Sequence, residues 1–470
     1  MLKRKLFLTL VTGLALCASA RDYNVEQYGI KGDGITLNTP KIQKLIDDVS
    51  KNGGGRIVFP QGTFKTGSVV MKSGVELHFE KGAELSGSTD PGHYHKLTDE
   101  INHNVKQDNS MLALIMADGA ERIAITGPGT IDGNGRRLAL TIDSLLGHRP
   151  NELDRPKLLL FRNCKDVHIN GMNMRNSACW GLSFELCENM HLDSLNIYNR
   201  AYWNNDGIDL SDCHNVEISY CKINSADDGI CLKSYHADNC NDGIKVHDCE
   251  VRTSASGVKF GTASYGGFRN VDISDITIFD TFRSAIALES VDGGILENVR
   301  VKNITAINTG NPIFIRLGHR SGEAPGKVRN IHISDLTVVV PAGVPDAAYD
   351  LRGPAIGGTH NPIPSSITGI PGHPVEDVTL ERLNIIMPGG ASDGVAYLPS
   401  NRYNQVGEKI RDYPEFSMFG DLPAWGFFLR HVDGVHFKDV KLSLWNPDYR
   451  PPFVMEDAEN VTFTNLNLPL

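Results

Sequence analysis

Apolar and polar residues alternate along most of this chain in short bursts, and the bursts recur. One pattern, an apolar–polar–apolar triplet behind a turn residue, reads Val167-His168-Ile169, Met190-His191-Leu192, Val216-Glu217-Ile218 and Ile244-Lys245-Val246. It continues as Val271-Asp272-Ile273, Val299-Arg300-Val301 and Ile331-His332-Ile333. The starts lie 23, 26, 28, 27, 28 and 32 residues apart, and later copies begin at Val378, Val435 and Val461. A second burst follows each first one, as in Leu195-Asn196-Ile197, Cys221-Lys222-Ile223, Cys249-Glu250-Val251, Ile276-Thr277-Ile278 and Leu336-Thr337-Val338. A third carries its own signature: Gly181-Leu182-Ser183-Phe184, Gly207-Ile208-Asp209-Leu210, Gly229-Ile230-Cys231-Leu232 and Gly257-Val258-Lys259-Phe260, then Ala285-Ile286-Ala287-Leu288 and Pro312-Ile313-Phe314-Ile315.

Alternation with period two turns successive side chains to opposite faces, so each burst is a half-buried strand. Three distinct strands in fixed order at a nearly fixed period predict an all-β chain. The expected form is a single-domain right-handed parallel β-helix of about ten coils. A sandwich also has many short strands, but not three signatures in constant order. Cys164, Cys187, Cys213 and Cys240 fall at equivalent turns and are expected in one column, as disulfides or as buried thiols. Ile42, Leu45, Ile46 and Val49 have helical spacing, which predicts a capping helix over Pro40 to Ser50. Two stretches rich in Pro and Gly, 341–374 and 388–423, break the rhythm. They are expected to be folded loops walling a groove.

Charge and length narrow the function. The 470 residues carry 46 Lys+Arg against 56 Asp+Glu. A net charge of −10 leaves no basic excess for neutralising phosphates, which argues against a nucleic-acid partner. Lys3, Arg4 and Lys5 precede an apolar run from Leu6 to Cys17 that is too short to span a bilayer, and Ala18-Ser19-Ala20 fits a cleavage site. Residues 1–20 therefore read as a signal peptide and 21–470 as an exported domain, periplasmic or secreted. No later span reads as a membrane helix, and a monomer is expected.

The repeat also places candidate chemistry. The residue before each third strand reads Trp180, Asp206, Asp228, Ser256, Ser284 and Asn311, so Asp206 and Asp228 are column neighbours. Asp227 and Asp209 lie beside them. Asp-Gly pairs are common turn residues, and clustered carboxylates also suit calcium. Four crowded carboxylates, however, raise at least one pKa and set an acid beside a base. Two carboxyl groups and a water are the apparatus of inverting glycoside hydrolysis.

At this point the chain resembles the polygalacturonase family, glycoside hydrolase family 28, from about Tyr23 to Leu470. Moderately specific matches are Tyr28-Gly29-Ile30-Lys31-Gly32-Asp33-Gly34, Gly53-Gly54-Gly55, Phe59-Pro60-Gln61-Gly62-Thr63-Phe64 and Gly127-Pro128-Gly129-Thr130-Ile131-Asp132-Gly133. More specific are Asn204-Asn205-Asp206-Gly207-Ile208-Asp209, similar to the family's Asn-Thr-Asp-Gly motif, and Ala226-Asp227-Asp228-Gly229-Ile230, similar to its Asp-Asp motif. The resemblance implies the same β-helix, inversion, no metal or other cofactor, and a pectic glycan as partner. It implies Asp227 as the general acid, with Asp206 and Asp228 holding and activating the water. The family's Gly-His-Gly aligns with Ala255-Ser256-Gly257 and its Arg-Ile-Lys with Ala285-Ile286-Ala287, so a divergent member is expected. Replacement cations for an anionic sugar are Lys233, Lys259, Arg283 and Arg316. Trp180, Asn205 and Asp209 complete the candidate substrate contacts, and Tyr202 and Trp203 are further candidates for stacking on sugar faces.

The leading expectation is a hydrolase of a galacturonate-containing pectic glycan. Alternatives are a rhamnogalacturonan or other divergent pectic-linkage hydrolase, a polysaccharide lyase and a non-catalytic glycan-binding β-helix.

Overall fold

The computed structural model describes residues 21–98, 110–346, 363–391 and 406–469. Residues 1–20, read above as a signal peptide, and the interior parts of both interruptions lie outside the described residues.

The described strands form one continuous parallel ladder, wound as a right-handed β-helix. The triplets stack as their pattern requires. Val167 pairs with Met190, then Val216, Ile244, Val271, Val299, Ile331, Val378 and Val435 in unbroken succession. Their inward side chains make a single core of Ile, Val, Leu and Phe. Aromatics interlock between coils, as where Phe161 meets Phe184 edge-on at 5.7 Å between ring centres.

Each coil turns its corners on single residues in the left-handed region. Ser194, Tyr220, Asp248, Asp275, Asn303, Asp335, Arg382, Asp439 and Asn465 mark the bend between the first and second strands, with φ between 52° and 57°. Asn and Asp tolerate that conformation best among side-chain-bearing residues, which is why they dominate the bends.

The capping helix α1 spans Thr39–Lys51, with Pro40 in its first turn, and buries Ile42, Leu45, Ile46 and Val49 against the first coils. A second helix, α2 (Gly135–Leu146), is not foreshadowed by the repeat. It lies between two strands and packs Leu138 and Ile142 on Ala178 and Tyr94. Among the described residues no helix is long and apolar enough to cross a membrane.

The cysteine column is shorter than its spacing suggests. Cys164, Cys187 and Cys213 stack, but the pairing of His214 with Asp242 puts Asn241, not Cys240, in the fourth place. Asn241 wins the place because its amide does more there than a thiol can. It accepts the Cys213 N–H at 3.0 Å and donates to the Lys233 carbonyl at 2.6 Å. The eight described cysteines are buried free thiols.

The interruptions also differ from plain loops. Ser365–Thr368, inside the first, is a strand inserted between Phe314–Arg316 and Phe427–Arg430. The described end of the second, from Val406 to Ala424, folds back over the outer face of the third sheet.

Removing the Asn241 amide leaves the Cys213 N–H unpaired in the interior and the Lys233 carbonyl with the Asp212 N–H alone. Asn241→Ala is expected to cost about 1–3 kcal/mol, read as a lower chemical-denaturation midpoint. A change within error of zero would show that water replaces the amide freely.

Candidate active site

The third sheet positions the candidate residues through its register. Asp209 pairs with Cys231 and Cys231 with Lys259, while Ser211 pairs with Lys233. All of these alternate outward from the apolar Ile208, Leu210, Ile230 and Leu232. Just before these strands, Gly181 donates to the Asp206 carbonyl (3.0 Å), Gly207 to the Asp228 carbonyl (2.9 Å) and Gly229 to that of Ser256 (2.9 Å). That ladder sets Trp180, Asp206, Asp228 and Ser256 in one column, as the repeat predicts. The glycines are required by close approach: a Cβ on Gly207 would lie 2.4 Å from the Gly229 carbonyl oxygen.

Asp206, Asp228 and Cys231 each bring one ligand-type atom within 4.8 Å of the others. A water hydrogen-bonded to both carboxylates fits that separation, since each such bond is about 2.7–2.8 Å long. Lys233 Nζ lies 3.8 Å from Asp206 and 3.6 Å from Asp209, and Lys259 Nζ lies 3.5 Å from Asp228. A hard divalent cation wants six or more oxygens. This cluster instead offers two carboxylates and a thiol, with two ammonium groups already against them, so it does not fit calcium.

The two column neighbours are driven apart in acidity. Asp206 is pushed well above the usual carboxylate range, first by burial and then by the charges of Asp209 and Asp227. Burial also works to raise Asp228, yet Lys259, Lys233 and Arg283 outweigh it and hold Asp228 below its ordinary value. The Ser256 N–H, donated to Asp228 Oδ1 at 3.0 Å, helps. An acid thus stands beside a base in a single buried group. Asp209 is fully buried and pushed up to about 6, mainly by burial. Neither of its carboxyl oxygens has a hydrogen-bond partner among the described residues. For Lys233, burial works against the charge and is outweighed by Cys231, Asp209 and Asp206.

Asp227 is held in place by its backbone. Its N–H donates to the Asn205 carbonyl at 3.1 Å, and its carbonyl accepts from Ser225 Oγ (2.7 Å) and from Thr253 Oγ1. Its Oδ1 accepts the Asp228 N–H at 3.0 Å.

Not every expected contact faces the groove. The Asn205 side chain is buried and bonds only to backbone, donating to Ser177 and Cys179 and accepting from Tyr202. It ties turns together and is not a substrate contact, because no polar atom is left for a ligand. Arg316 is also reassigned. It is buried and donates to the carbonyls of Gly369, Glu408 and Lys409 and to Thr368 Oγ1, so it anchors the second interruption. Arg283 stays at the site: it pairs with Glu415 and faces Asp227 and Asp228, and its Nη2 has no partner among the described residues. Trp180 is nearly buried, with Lys157 Nζ 4.5 Å and Lys233 Nζ 4.6 Å from its ring centre. Tyr202 and Trp203 face the arginines Arg155 and Arg149.

Four residues that are not among the candidate contacts join the site. Lys157 donates to Ser183 Oγ at 3.0 Å and helps hold Asp209. Its signal was a lone charge opening the apolar run Lys157-Leu158-Leu159-Leu160. Glu289 follows Leu288 near the end of a third strand, beside Lys259, Glu415 and Asp228, and was reachable by extending the repeat. Tyr413, whose ring lies 5.6 Å from Lys259 Nζ, and Glu415 come from the second interruption, where no periodicity points to them.

Known proteins share both the sequence pattern and the fold. The family model described as "Glycosyl hydrolases family 28" matches residues 49–347. A "Probable polygalacturonase" from Vitis vinifera is 26% identical over 332 residues, 69% of this chain and 62% of that protein. An "Exo-poly-alpha-D-galacturonosidase" from Dickeya chrysanthemi is 29% identical over 249 residues, 44% of this chain and 41% of that protein. Both matches span less than two thirds of the relative. The fold matches that of a family 28 exopolygalacturonase of Yersinia enterocolitica, with a TM-score of 0.70 at 19% identity over 95% of this chain and 79% of that one. It also matches an exopolygalacturonase of Thermotoga maritima, with a TM-score of 0.61 at 23% identity over 78% of this chain and 87% of that one.

Burial raises several acids together: Asp209 and Asp212 to about 6 and Glu289 to about 8. His236 is raised too, by its hydrogen bond to Glu185. The folded chain therefore binds more protons than the unfolded one between about pH 4 and pH 8, and stability falls as pH rises through that window. The thermal midpoint is expected to be lower at pH 8 than at pH 5, and Glu289→Gln to flatten the part between pH 6 and pH 8. A wild-type midpoint that rises from pH 5 to pH 8 would contradict these environments.

Proposed function

We propose that this chain, which belongs to glycosyl hydrolases family 28, is an exported enzyme that cleaves a galacturonate-containing pectic glycan with inversion, as a polygalacturonase-like hydrolase. The observation that carries the reading is the pair Asp206 and Asp228, oxygens within 4.8 Å and acidities driven in opposite directions.

The chemistry follows from those positions. A water held between Asp206 and Asp228 attacks the anomeric carbon, and its proton passes to Asp228, the ionised member. The bond from that carbon to the glycosidic oxygen breaks, and Asp227 delivers a proton to the leaving oxygen. The proton lost by the water and the one given to the leaving group balance, so the carboxyl group resets by exchanging one proton with solvent. Lys233 and Lys259 keep the crowded carboxylates compatible. The unpartnered Nη2 of Arg283 supports that residue as a contact for the sugar carboxylate, a planar acceptor that suits a guanidinium. Lys157 is a second candidate, on the opposite side of Asp209.

A lyase is less well supported. It needs a lysine or arginine free to abstract a proton, and Lys233 and Lys259 both stand against carboxylates. Ser256, Ala285 and Ala287 stand where the family's His, Arg and Lys would align, so a rhamnogalacturonan linkage is the natural second substrate to try.

Homogalacturonan, rhamnogalacturonan and galacturonate-ended oligosaccharides, incubated with the protein and run by mass spectrometry, test the reading. Saturated fragments heavier by one water are expected, with the inverted anomer seen first by NMR. Asp227→Asn and Asp228→Asn should each lose about 10²–10⁴-fold in rate on the natural glycan. Only Asp227→Asn should recover substantially on an aryl glycoside with an acidic leaving group, because that substrate needs no proton. Unsaturated products, or equal loss on both substrates for the two variants, would overturn the assignment.

A further inference from the structure

A second charged group is buried at the corner of the coils that leads into the carboxylate cluster. Asn199, Ser225 and Thr253 pair in register on three successive coils, and Arg200, Ala226 and Ser254 follow them. Ala226 ends at its Cβ, so the Arg200 side chain reaches across it from the first of these coils to the third. Its Nη1 donates to the Ser225 carbonyl and its Nη2 to Ser254 Oγ at 2.7 Å. A guanidinium in the interior needs a counter-charge. Asp346 brings one from the first interruption, 146 residues along the chain. Its carboxyl oxygens lie 3.3 and 3.4 Å from Arg200 Nη2 and 2.6 Å from Arg252 Nη2, and it accepts from Ser254 Oγ. Asp346 is fully buried, and the Asn308 amide fixes the chain beside it by donating to the Pro345 carbonyl at 2.8 Å.

The same corner carries Asp227. The hydroxyls of Ser225 and Thr253 both donate to the Asp227 carbonyl. The Ser225 carbonyl in turn accepts from Arg200 and from the Ser254 N–H at 3.2 Å. Neutralising Asp346 leaves the buried Arg200 charge without this partner. The guanidinium then moves toward water or water moves in, and either change pulls on Ser225 and on the backbone that aims the Asp227 carboxyl group. Asp206 and Asp228 are held differently, by the glycine ladder of the third sheet.

We propose that Asp346 is a positioning residue for Asp227, acting through Arg200 and Ser254, so that the first interruption sets how well the leaving oxygen is protonated. This rests on the glycan-hydrolase reading above. Asp346 meets neither the sugar nor the attacking water. Its influence falls on the one step that needs the acid.

Asp346→Asn keeps the shape of the side chain and removes its charge. On an oligogalacturonate, kcat is expected to fall about 10–100-fold with KM within about twofold, because a displaced acid is missed only in the transition state. On an aryl galacturonide with an acidic leaving group the loss should stay below about threefold, since that oxygen departs without a proton. Added to Asp227→Asn, the substitution should cost less than about twofold more on the oligogalacturonate. Equal losses on the two substrates, additive losses in the double variant, or unchanged rates would each overturn the proposal and leave Asp346 a scaffold residue. A readout independent of turnover is the amide NMR signal of Asp228, whose N–H donates to Asp227 Oδ1 at 3.0 Å. In Asp346→Asn it is expected to shift while that of Gly207 stays in place. If the wild-type protein cleaves neither substrate, the hydrolase reading fails; a shifted Asp228 signal then still supports the link from Asp346 to Asp227, and an unmoved one overturns it. Should Asp346→Asn fail to fold, Ser254→Ala removes only the bridging hydroxyl and is expected to show the same dependence on leaving group, with a loss of about 3–10-fold on the oligogalacturonate.

Discussion

In-register stacking of each coil on the last, at the spacing of hydrogen-bonded strands, is the constraint on which the rest of this structure depends. Every side chain has two fixed neighbours, one coil before and one coil after. Inside, this makes columns of aliphatic and aromatic groups that no coil could bury alone. Outside, it forces polar groups into proximity that solution chemistry would resist: Asp206 beside Asp228, and Asp209 beside Cys231. The site is a consequence of the architecture, because a parallel ladder cannot separate like charges that share a column.

Such crowding must be compensated, and the compensation also comes from the ladder. Lys233 and Lys259 lie one coil beyond the carboxylates they balance. Burial raises both carboxyl groups; Asp209 and Asp227 add to it at Asp206, whereas Lys259, Lys233 and Arg283 outweigh it at Asp228. The difference in acidity thus arises from which charges each coil supplies, with two chemically identical side chains as the starting point.

The interruptions do a different task. The second packs Phe416, Phe419 and Leu422 over Ala287 and Phe314, where the outer face of the ladder is apolar. Their attachment relies on buried arginines that bond largely to backbone carbonyls, as Arg316 does to Gly369, Glu408 and Lys409. Removing such a guanidinium leaves several carbonyls unsatisfied at once, which makes the loop position specific as well as stable. Helix α2, which escaped the repeat, similarly fills a gap between two strands by packing Leu138 and Ile142 on Ala178.

The sequence by itself determined the coils, their register through most of the chain, α1 to within a residue at each end, and the column shared by Asp206 and Asp228. These features are periodic, and a period of two within a period of about 27 is legible without coordinates. Only the tertiary structure decided that Asn241 displaces Cys240 from its column, that Asn205 and Arg316 serve the scaffold, and that Lys157, Tyr413 and Glu415 join the site. The physical reason is that these outcomes turn on which side chain satisfies a buried carbonyl or charge, and on how an aperiodic segment folds back across the ladder. Contacts of that kind join residues far apart in the chain and leave no pattern in it.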